Sequence, residues 1–423
     1  MIGKDLTSRR SGRLVGFLDI GSSKNTCLII APDRPSHQSP LGGQVAGFSV
    51  LKSRGVKAGV VTDFDVAAHA VRSCVSQAEK MAGDTLQDVI VGFSCGRVRS
   101  QVFSAKADIA NGVVSYEDIA KCLRGGRQFA GRDGRHLVHY DAFGYRLDGH
   151  LVGSDPRGMA AQELTADVHA VTADEGPLRN LGVLVEKCFL APSRFVLSPL
   201  ASALAVTTQE DRQLGITVID VGAGTIKIAM FADGHFVHTD VIPVGSDHMT
   251  YDIARELQTP FAQAERIKAV YGTLVSAHSD SHETFSYPLA GNEDGGMHHT
   301  TKANLAGIMT HRSNMVAALI AERLDRCGVG KFAGDRIVLT GGGAQLVGMA
   351  EFMADRLARS VFVAGPSHSF ELPKMLADGS FSTVVGMVAA ELTSAKSIMR
   401  VDNQETLPQG YLGRVGHWLM TGL

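Results

Sequence analysis

The sequence predicts an α/β protein built from two related lobes that close on a cleft, with a compact α/β unit inserted in the first lobe. Three observations carry that prediction. A pattern of apolar run, aspartate, glycine turn and second apolar run occurs twice, as "LVGFLDIGSSKNTCLII" (residues 14–30) and "GITVIDVGAGTIKIAMF" (residues 215–231). Runs rich in Val, Ile and Leu alternate with stretches of helical period along most of the chain. A branched apolar run meets three consecutive glycines in "IVLTGGGAQL" (residues 337–346).

Size and charge bound the rest. At 423 residues the chain exceeds what one simple core holds, so two or more domains are expected. Forty-one basic and 43 acidic residues leave a formal charge of -2, which gives no basic field to hold DNA or RNA, and nucleic acid is not a predicted partner. Cys27, Cys74, Cys95, Cys122, Cys188 and Cys327 are scattered without a C-x-x-C pair, so reduced buried thiols are expected. The N-terminal extension, residues 1–13, carries Lys4, Arg9, Arg10 and Arg13 but no apolar core of a secretory signal. No run of 18 apolar residues occurs, and the reading is a cytoplasmic protein without a membrane span.

The elements follow in order. Each repeat reads as a hairpin of two strands joined through glycine. "FDVAAHAVRSCVSQAEKMAG" (residues 64–83) places Val66, Ala70, Val71, Cys74 and Ala78 at helical spacing and stops at glycine. "QDVIVGFSC" (residues 87–95) reads as a strand. Residues 86–165 show their own small alternation and read as the inserted unit: strand, a helix at residues 115–130 opened by Ser115 and Asp118 in the manner of a capping box, then the strand "HLVHYDAFGYRL". In the second half Thr259 and Pro260 mark a helix start and Gly272 a stop. Residues 278–301 read as an exposed loop. Its His278, His282, His298 and His299 admit a metal site, although neither nearby cysteine nor fixed helical pairing supports one.

The glycine turns have a definite chemistry. Backbone N–H groups freed of side-chain bulk converge on phosphate oxygens, and Ser or Thr hydroxyls donate further bonds. An aspartate just before the glycine suits Mg²⁺ or its water shell. Two such hairpins facing each other would clasp a polyphosphate. The pattern is not a dinucleotide fingerprint, since Lys227 fills the last position of G-x-G-x-x-G and the turn joins two strands; a Walker A loop is absent. For the triglycine, a tight turn needs only one or two glycines, and three point to something flat lying against the backbone.

The two hairpins and "LTGGGAQL" resemble the phosphate and adenosine motifs of the actin, heat-shock chaperone and sugar-kinase (ASKHA) superfamily. Within it the chain is similar to the FtsA family of bacterial cell-division actin homologues, over about residues 15–390 and again at the C-terminal tip. The stretches at residues 145–174, 198–225 and 250–272 carry the closer likeness. The resemblance implies an actin-like fold of duplicated ribonuclease H-like domains. Residues 14–85 and 166–200 would form the first lobe, rejoined by 365–395. Residues 86–165 would form the inserted subdomain, and 201–364 the second lobe with a helical subdomain at 246–310. It also implies bound ATP and Mg²⁺. Asp19, Gly21, Ser22, Ser23 and Lys24 would form the first phosphate loop and Asp220, Gly222, Gly224 and Thr225 the second, with Gly245 beside it. Glu265 and Lys268 would face the ribose, unless they are a solvent-exposed i,i+3 pair. Gly341, Gly342 and Gly343 would lie under the adenosine, with the following helix pointing its N-terminus at the ligand. Asp19 and Asp220 would hold Mg²⁺ through water.

Three departures stand out. Ala223 replaces a third glycine, Lys227 stands near a common aspartate, and Ser198 replaces an acid. Without a carboxylate to orient water, slow or undetectable ATP hydrolysis is expected.

Residues 396–410 read as a linker broken by Pro408, ahead of "YLGRVGHWLMTGL" (residues 411–423). In helical projection Tyr411, Leu412, Val415, Trp418 and Leu419 share one side. This tip either docks on the body or seeks lipid; Gly413 and Gly416 weaken a helix in water by about 1 kcal/mol each, which favours folding on contact with a membrane. The resemblance implies a membrane-targeting helix at the cytoplasmic face of the bacterial inner membrane at the division site. The partners it implies are the FtsZ C-terminal tail, further copies in actin-like protofilaments, and later divisome membrane proteins. Lys302 and Arg312 are candidates to receive the FtsZ tail. An ASKHA-fold small-molecule kinase, a chaperone-type ATPase and a pilus-assembly actin homologue remain as alternatives.

Overall fold

The computed structural model describes residues 14–32, 43–152, 155–291, 296–328, 333–366 and 373–392. The N-terminal extension, the linker and the tip at residues 411–423 lie outside the described residues.

Two five-stranded sheets with one topology form the two lobes. In the first, the order is Ala191–Leu197, Asp88–Phe93, Val15–Ile20, Lys24–Pro32, Gly43–Lys52; in the second it is Ser360–Val363, Arg336–Thr340, Ile216–Val221, Ile226–Ala232, His235–Ile242. Each begins as an antiparallel meander and grows by two parallel strands. The central runs are apolar on both faces because both faces are covered: Phe17, Leu18, Leu28 and Ile29 in one lobe and Ile219, Ile228 and Met230 in the other are fully buried. The two halves of the repeat share a register, with Asp19 opposite Thr26 and Asp220 opposite Lys227.

The helix Phe64–Ala82 covers the first sheet and ends at Gly83 in the left-handed region, as the spacing required. Its buried stripe runs from Ala67 and Ala68, and Val66 is exposed, so the stripe begins one residue later than expected.

The inserted unit is a four-stranded sheet, Arg99–Asp108, Glu163–Ala173, His136–Leu147, His150–Val152, with the helix Tyr116–Gly131 on it. The capping box is formed: Ser115 Oγ accepts from the Asp118 N–H and the Asp118 carboxylate accepts from the Ser115 N–H. The boundaries 86–165 need correction at both ends. The strand Asp88–Phe93 is a central parallel strand of the first lobe, which is why "DVIVGF" is buried almost throughout. The strand Glu163–Ala173 belongs to the insert, paired along its length with Arg99–Asp108.

The second lobe carries a separate apolar cluster from Met249, Ile253 and Leu257 to Phe285, Leu305 and Met309. Residues 278–301 are not the expected loop. A 3-10 turn at His278–Ser281 leads to a two-stranded hairpin, Thr284–Tyr287 with His298–Thr301, whose Phe285 and Tyr287 fill that cluster. The polar positions between hid a strand whose alternate residues are apolar.

The lobes join through two helices. All nine residues of Ser198–Val206 are buried, and apart from Ser198 and Ser202 the helix is apolar. It crosses Ser382–Leu392 so closely that a Cβ on Gly386 would fall 1.7 Å from the Ala201 carbonyl oxygen. The first of these helices packs on the second-lobe hairpin and the other on the first-lobe strands.

Candidate functional site

The two hairpins bring their tips together. Gly21 N–H donates to Lys24 O at 3.0 Å and Gly222 N–H to Thr225 O at 2.9 Å, so the same turn is made twice. Across the gap, a Cβ on Gly224 would lie 2.3 Å from Ser22 Oγ. A cavity of about 490 Å³ opens beside them, within the range of small-ligand sites. Its wall includes all fifteen residues expected to hold nucleotide: Asp19, Gly21 to Lys24, Asp220, Gly222, Gly224, Thr225, Gly245, Glu265, Lys268 and Gly341 to Gly343. Ser198, Ala223 and Lys227, the three departures, line the same wall.

The triglycine has two separate causes. Gly341 lies at φ +89°, and a Cβ there would come 2.3 Å from Asp220 Oδ1; one on Gly343 would come 2.6 Å from Val221 Cγ1. Both glycines therefore let the corner seat against the second hairpin. Gly342 meets nothing nearer than Ser380 Cβ at 3.5 Å, and it alone of the three leaves bare backbone for a ligand. The helix expected next is delayed: a 3-10 turn covers Gly342–Gln345, Gly348 follows in the left-handed region, and the helix runs Met349–Leu357. Its N-terminus does not follow directly from the glycine corner.

Charge in the cleft floor is divided unequally. Asp220 is buried, and its Oδ2 accepts from Lys227 Nζ at 2.9 Å, Ser202 Oγ at 2.6 Å and Thr383 Oγ1 at 3.3 Å. Burial alone would lower the Lys227 ammonium's pKa, but Asp220 and Asp19 outweigh it, so Lys227 stays charged above its ordinary value. Asp19 borders the cavity yet is enclosed by protein on every other side. No donor to its carboxylate is found among the described residues, and burial raises its pKa, with Asp220 adding to that effect against Lys227 and Lys24. Lys24 turns away toward Ser380 Oγ at 2.7 Å and over the Phe381 ring.

Glu265 and Lys268 form the i,i+3 pair, with the glutamate half exposed and the lysine turned inward. Lys268 Nζ lies 2.8 Å from Glu265 Oε2, both bond to Thr250 Oγ1 at 2.6 Å, and the lysine is mostly buried. Arg312 lies in the cavity wall, forked onto the buried Asp252 carboxylate, so it is not the surface cation expected to meet a partner peptide. Lys302 sits at the start of the helix Lys302–Arg326, paired with Glu283 at the surface. The hydroxyls of Ser202, Thr250, Ser380 and Thr383 escaped the sequence reading. Ser202 and Thr383 meet at 2.8 Å from 181 positions apart, which no local pattern announces.

These residues fit a triphosphate: two turns with small residues, cationic Lys24, Lys227 and Lys268, and an uncovered glycine. They do not fit a magnesium ion at Asp220, whose Oδ2 already takes three donors, one of them an ammonium. Mg²⁺ requires free oxygen acceptors in octahedral array, and of the two aspartates Asp19 is the one with no donor among the described residues. Of the two aspartates expected to hold the ion through water, Asp220 is thus the poorer fit at its Oδ2.

Residues 217–386 match the family described as cell division protein FtsA, and residues 95–172 match the SHS2 domain inserted in FtsA. The chain is 34% identical over 426 residues to the cell division protein FtsA of Agrobacterium fabrum, covering 98% of this chain and 96% of that protein. Among solved structures, it is similar in fold to a chain of the PilM–PilN type IV pilus biogenesis complex, with a TM-score of 0.63 at 14% identity over 91% of this chain and 99% of that one. MreB5 of Spiroplasma citri bound to ADP gives a TM-score of 0.53 at 14% identity, covering 93% and 99%.

Proposed function

The chain belongs to the FtsA family of cell-division proteins and has the actin-like fold, and we propose that it binds ATP between its lobes and serves as a membrane adaptor for FtsZ filaments. The observation that carries the nucleotide reading is the matched pair of hairpins, one from each lobe, whose tips meet beside a single cavity with an uncovered glycine in its wall. ATP contacts would come from the turn N–H groups and hydroxyls at Gly21 to Ser23 and Gly222 to Thr225, from Lys24, and from Glu265 and Lys268 at the sugar. Because these groups belong to both lobes, occupancy would fix the angle between them, and assembly into actin-like protofilaments would follow that angle.

Turnover is slow or absent in this reading. Ser198 supplies a hydroxyl at the position the resemblance gives to an acid, and a hydroxyl does not accept a proton from water near neutral pH. Phosphate release from the pure protein with ATP checks it.

The adaptor role rests on the family and on the amphipathic pattern of residues 411–423. Tyr411, Leu412, Val415, Trp418 and Leu419 would enter the headgroup boundary of the cytoplasmic face of the inner membrane, and many copies in a filament would add avidity. The FtsZ tail would reach the second lobe near Lys302, and later divisome proteins would join the assembled filament.

The deciding experiment for the cleft is calorimetry of ATP binding to the wild type and to Gly342→Leu. A Cβ there meets nothing nearer than Ser380 Cβ at 3.5 Å, so affinity falls by about tenfold or more while the melting temperature holds. Unchanged affinity removes the base from this corner. For the adaptor role, co-sedimentation with liposomes and FtsZ is lost on deleting residues 411–423; full retention rules the tip out.

A further inference from the structure

We infer that Lys227 supplies, from within the polypeptide, the positive charge a divalent cation would bring to this cleft, so that a nucleoside triphosphate is taken up without a divalent ion. The inference rests on the nucleotide reading and adds to it a claim about what neutralises the phosphates.

Lys227 occupies the position directly opposite Asp220 in the second hairpin, and its ammonium lies 2.9 Å from Asp220 Oδ2 with only 11% of the side chain exposed. The first hairpin has Thr26 at the matching position opposite Asp19. The lysine is therefore a property of one hairpin and not of the shared turn. Its neighbours hold it in place: Thr383 Oγ1 accepts from the same ammonium at 3.2 Å, and Ser202 Oγ donates to the same Asp220 oxygen. Asp220 Oδ1 faces the Gly341 corner, where even one added methyl group would collide with it. Asp220 Oδ2 is thus already taken by three donors and has little left to give an ion or an ion's water shell, both of which need free acceptor lone pairs. A doubly charged ion beside a fixed ammonium would also meet direct repulsion.

The cavity accordingly carries its own cations. Lys227 lines its floor, Lys24 its first-lobe side and Lys268 the far side. Charge-assisted bonds from ammonium groups to phosphate oxygens are the strong class of hydrogen bond, and they need no metal.

The test titrates ATP into the full-length protein by calorimetry, once with magnesium and once with EDTA. The wild type binds with affinities within about threefold of each other in the two buffers. Lys227→Met loses at least about tenfold in EDTA and recovers with magnesium, because Asp220 is released to accept the ion. Lys227→Arg, which keeps the charge and is the milder change for folding, retains binding in EDTA. Wild-type binding that appears only with magnesium overturns the inference and leaves the nucleotide reading standing. No binding in either buffer, in protein that melts cooperatively, overturns both. Binding by Lys227→Arg that vanishes in EDTA also counts against it.

Discussion

The two hairpins have one backbone and two electrostatic designs. Both close through the same glycine-to-carbonyl bond in the same register. In the first, the aspartate has no donor among the described residues and the lysine after the turn reaches away, to Ser380. In the second, the aspartate is saturated by a lysine and two hydroxyls. The adjoining corners differ too. Asp19 pairs with Gly92 and Asp220 with Thr340, so the next three residues correspond: Phe93, Ser94 and Cys95 in one lobe, Gly341, Gly342 and Gly343 in the other. Duplication kept the strands, while the polar filling and the corner residues diverged, so that one lobe offers an open acid and the other a neutralised acid with bare backbone.

The sharpest way to break that comparison is to remove the counter-charge. Lys227→Met leaves a buried carboxylate uncompensated and costs about 3–5 kcal/mol, read as a lower denaturant midpoint. Thr26→Val, at the matching place in the first hairpin, costs under about 1 kcal/mol. Equal effects at the two positions would mean that the hairpins are electrostatically alike after all.

The insert offers a second contrast, for it branches from the first lobe and docks on the second. His139 and His169 pack against Phe236 of the second lobe, with ring centroids 5.2 and 5.0 Å away, and Ser100 Oγ accepts from the Thr239 N–H. Among the described residues His139 Nε2 finds no partner, and His169 Nε2 meets Ser100 Oγ at 2.8 Å. Burial lowers the His139 pKa from 6.5 to about 4, and burial, helped by the neighbouring His139 and His238, holds that of His169 well below 6.5. The unfolded chain protonates first, so stability present above pH 6.5 is lost as pH falls toward 4. His139 alone accounts for about 3 kcal/mol of that loss. Denaturant melts between pH 7 and pH 4.5 show the slope, and His139→Phe flattens it; an unchanged slope in that variant would place the titrating group elsewhere.

At the corner, Gly341→Ala meets both a left-handed φ and the Asp220 carboxylate and costs about 1–3 kcal/mol. Ser94→Ala in the first lobe changes stability by less than about 0.5 kcal/mol. Thermal melts of the two variants compare them directly.

How far the sequence discloses this depends on the range of the interaction. The repeats, the Ser115 cap, the Gly83 stop and the Pro260 start are local, and each is present where its pattern places it. The polar-looking run at residues 278–301 concealed a hairpin because only Phe285 and Tyr287 announce its buried face. The strand Asp88–Phe93 was assigned to the insert because a run buried on both faces carries no label of which sheet it joins. Lys227 was visible as a departure, but its pairing with Asp220 depends on cross-strand register, and Thr383 arrives from the other end of the chain. Local patterns thus located the cleft wall and left its charge balance to the tertiary structure.

The smallest effect has the opposite sign. Asp19 is partly buried at the cavity and has no hydrogen-bond donor among the described residues, and its raised pKa means the charged form is the disfavoured one. Asp19→Asn therefore stabilises the free protein, by about 1 kcal/mol, whereas Asp220→Asn removes the partner of a buried ammonium and destabilises it. A group that costs folding energy while facing a cavity is one retained for a ligand, so Asp19→Asn should alter ATP binding even as its melting temperature rises. A melting temperature that falls in Asp19→Asn as it does in Asp220→Asn would show that both acids are structural, and the asymmetry between the hairpins would be one of geometry alone.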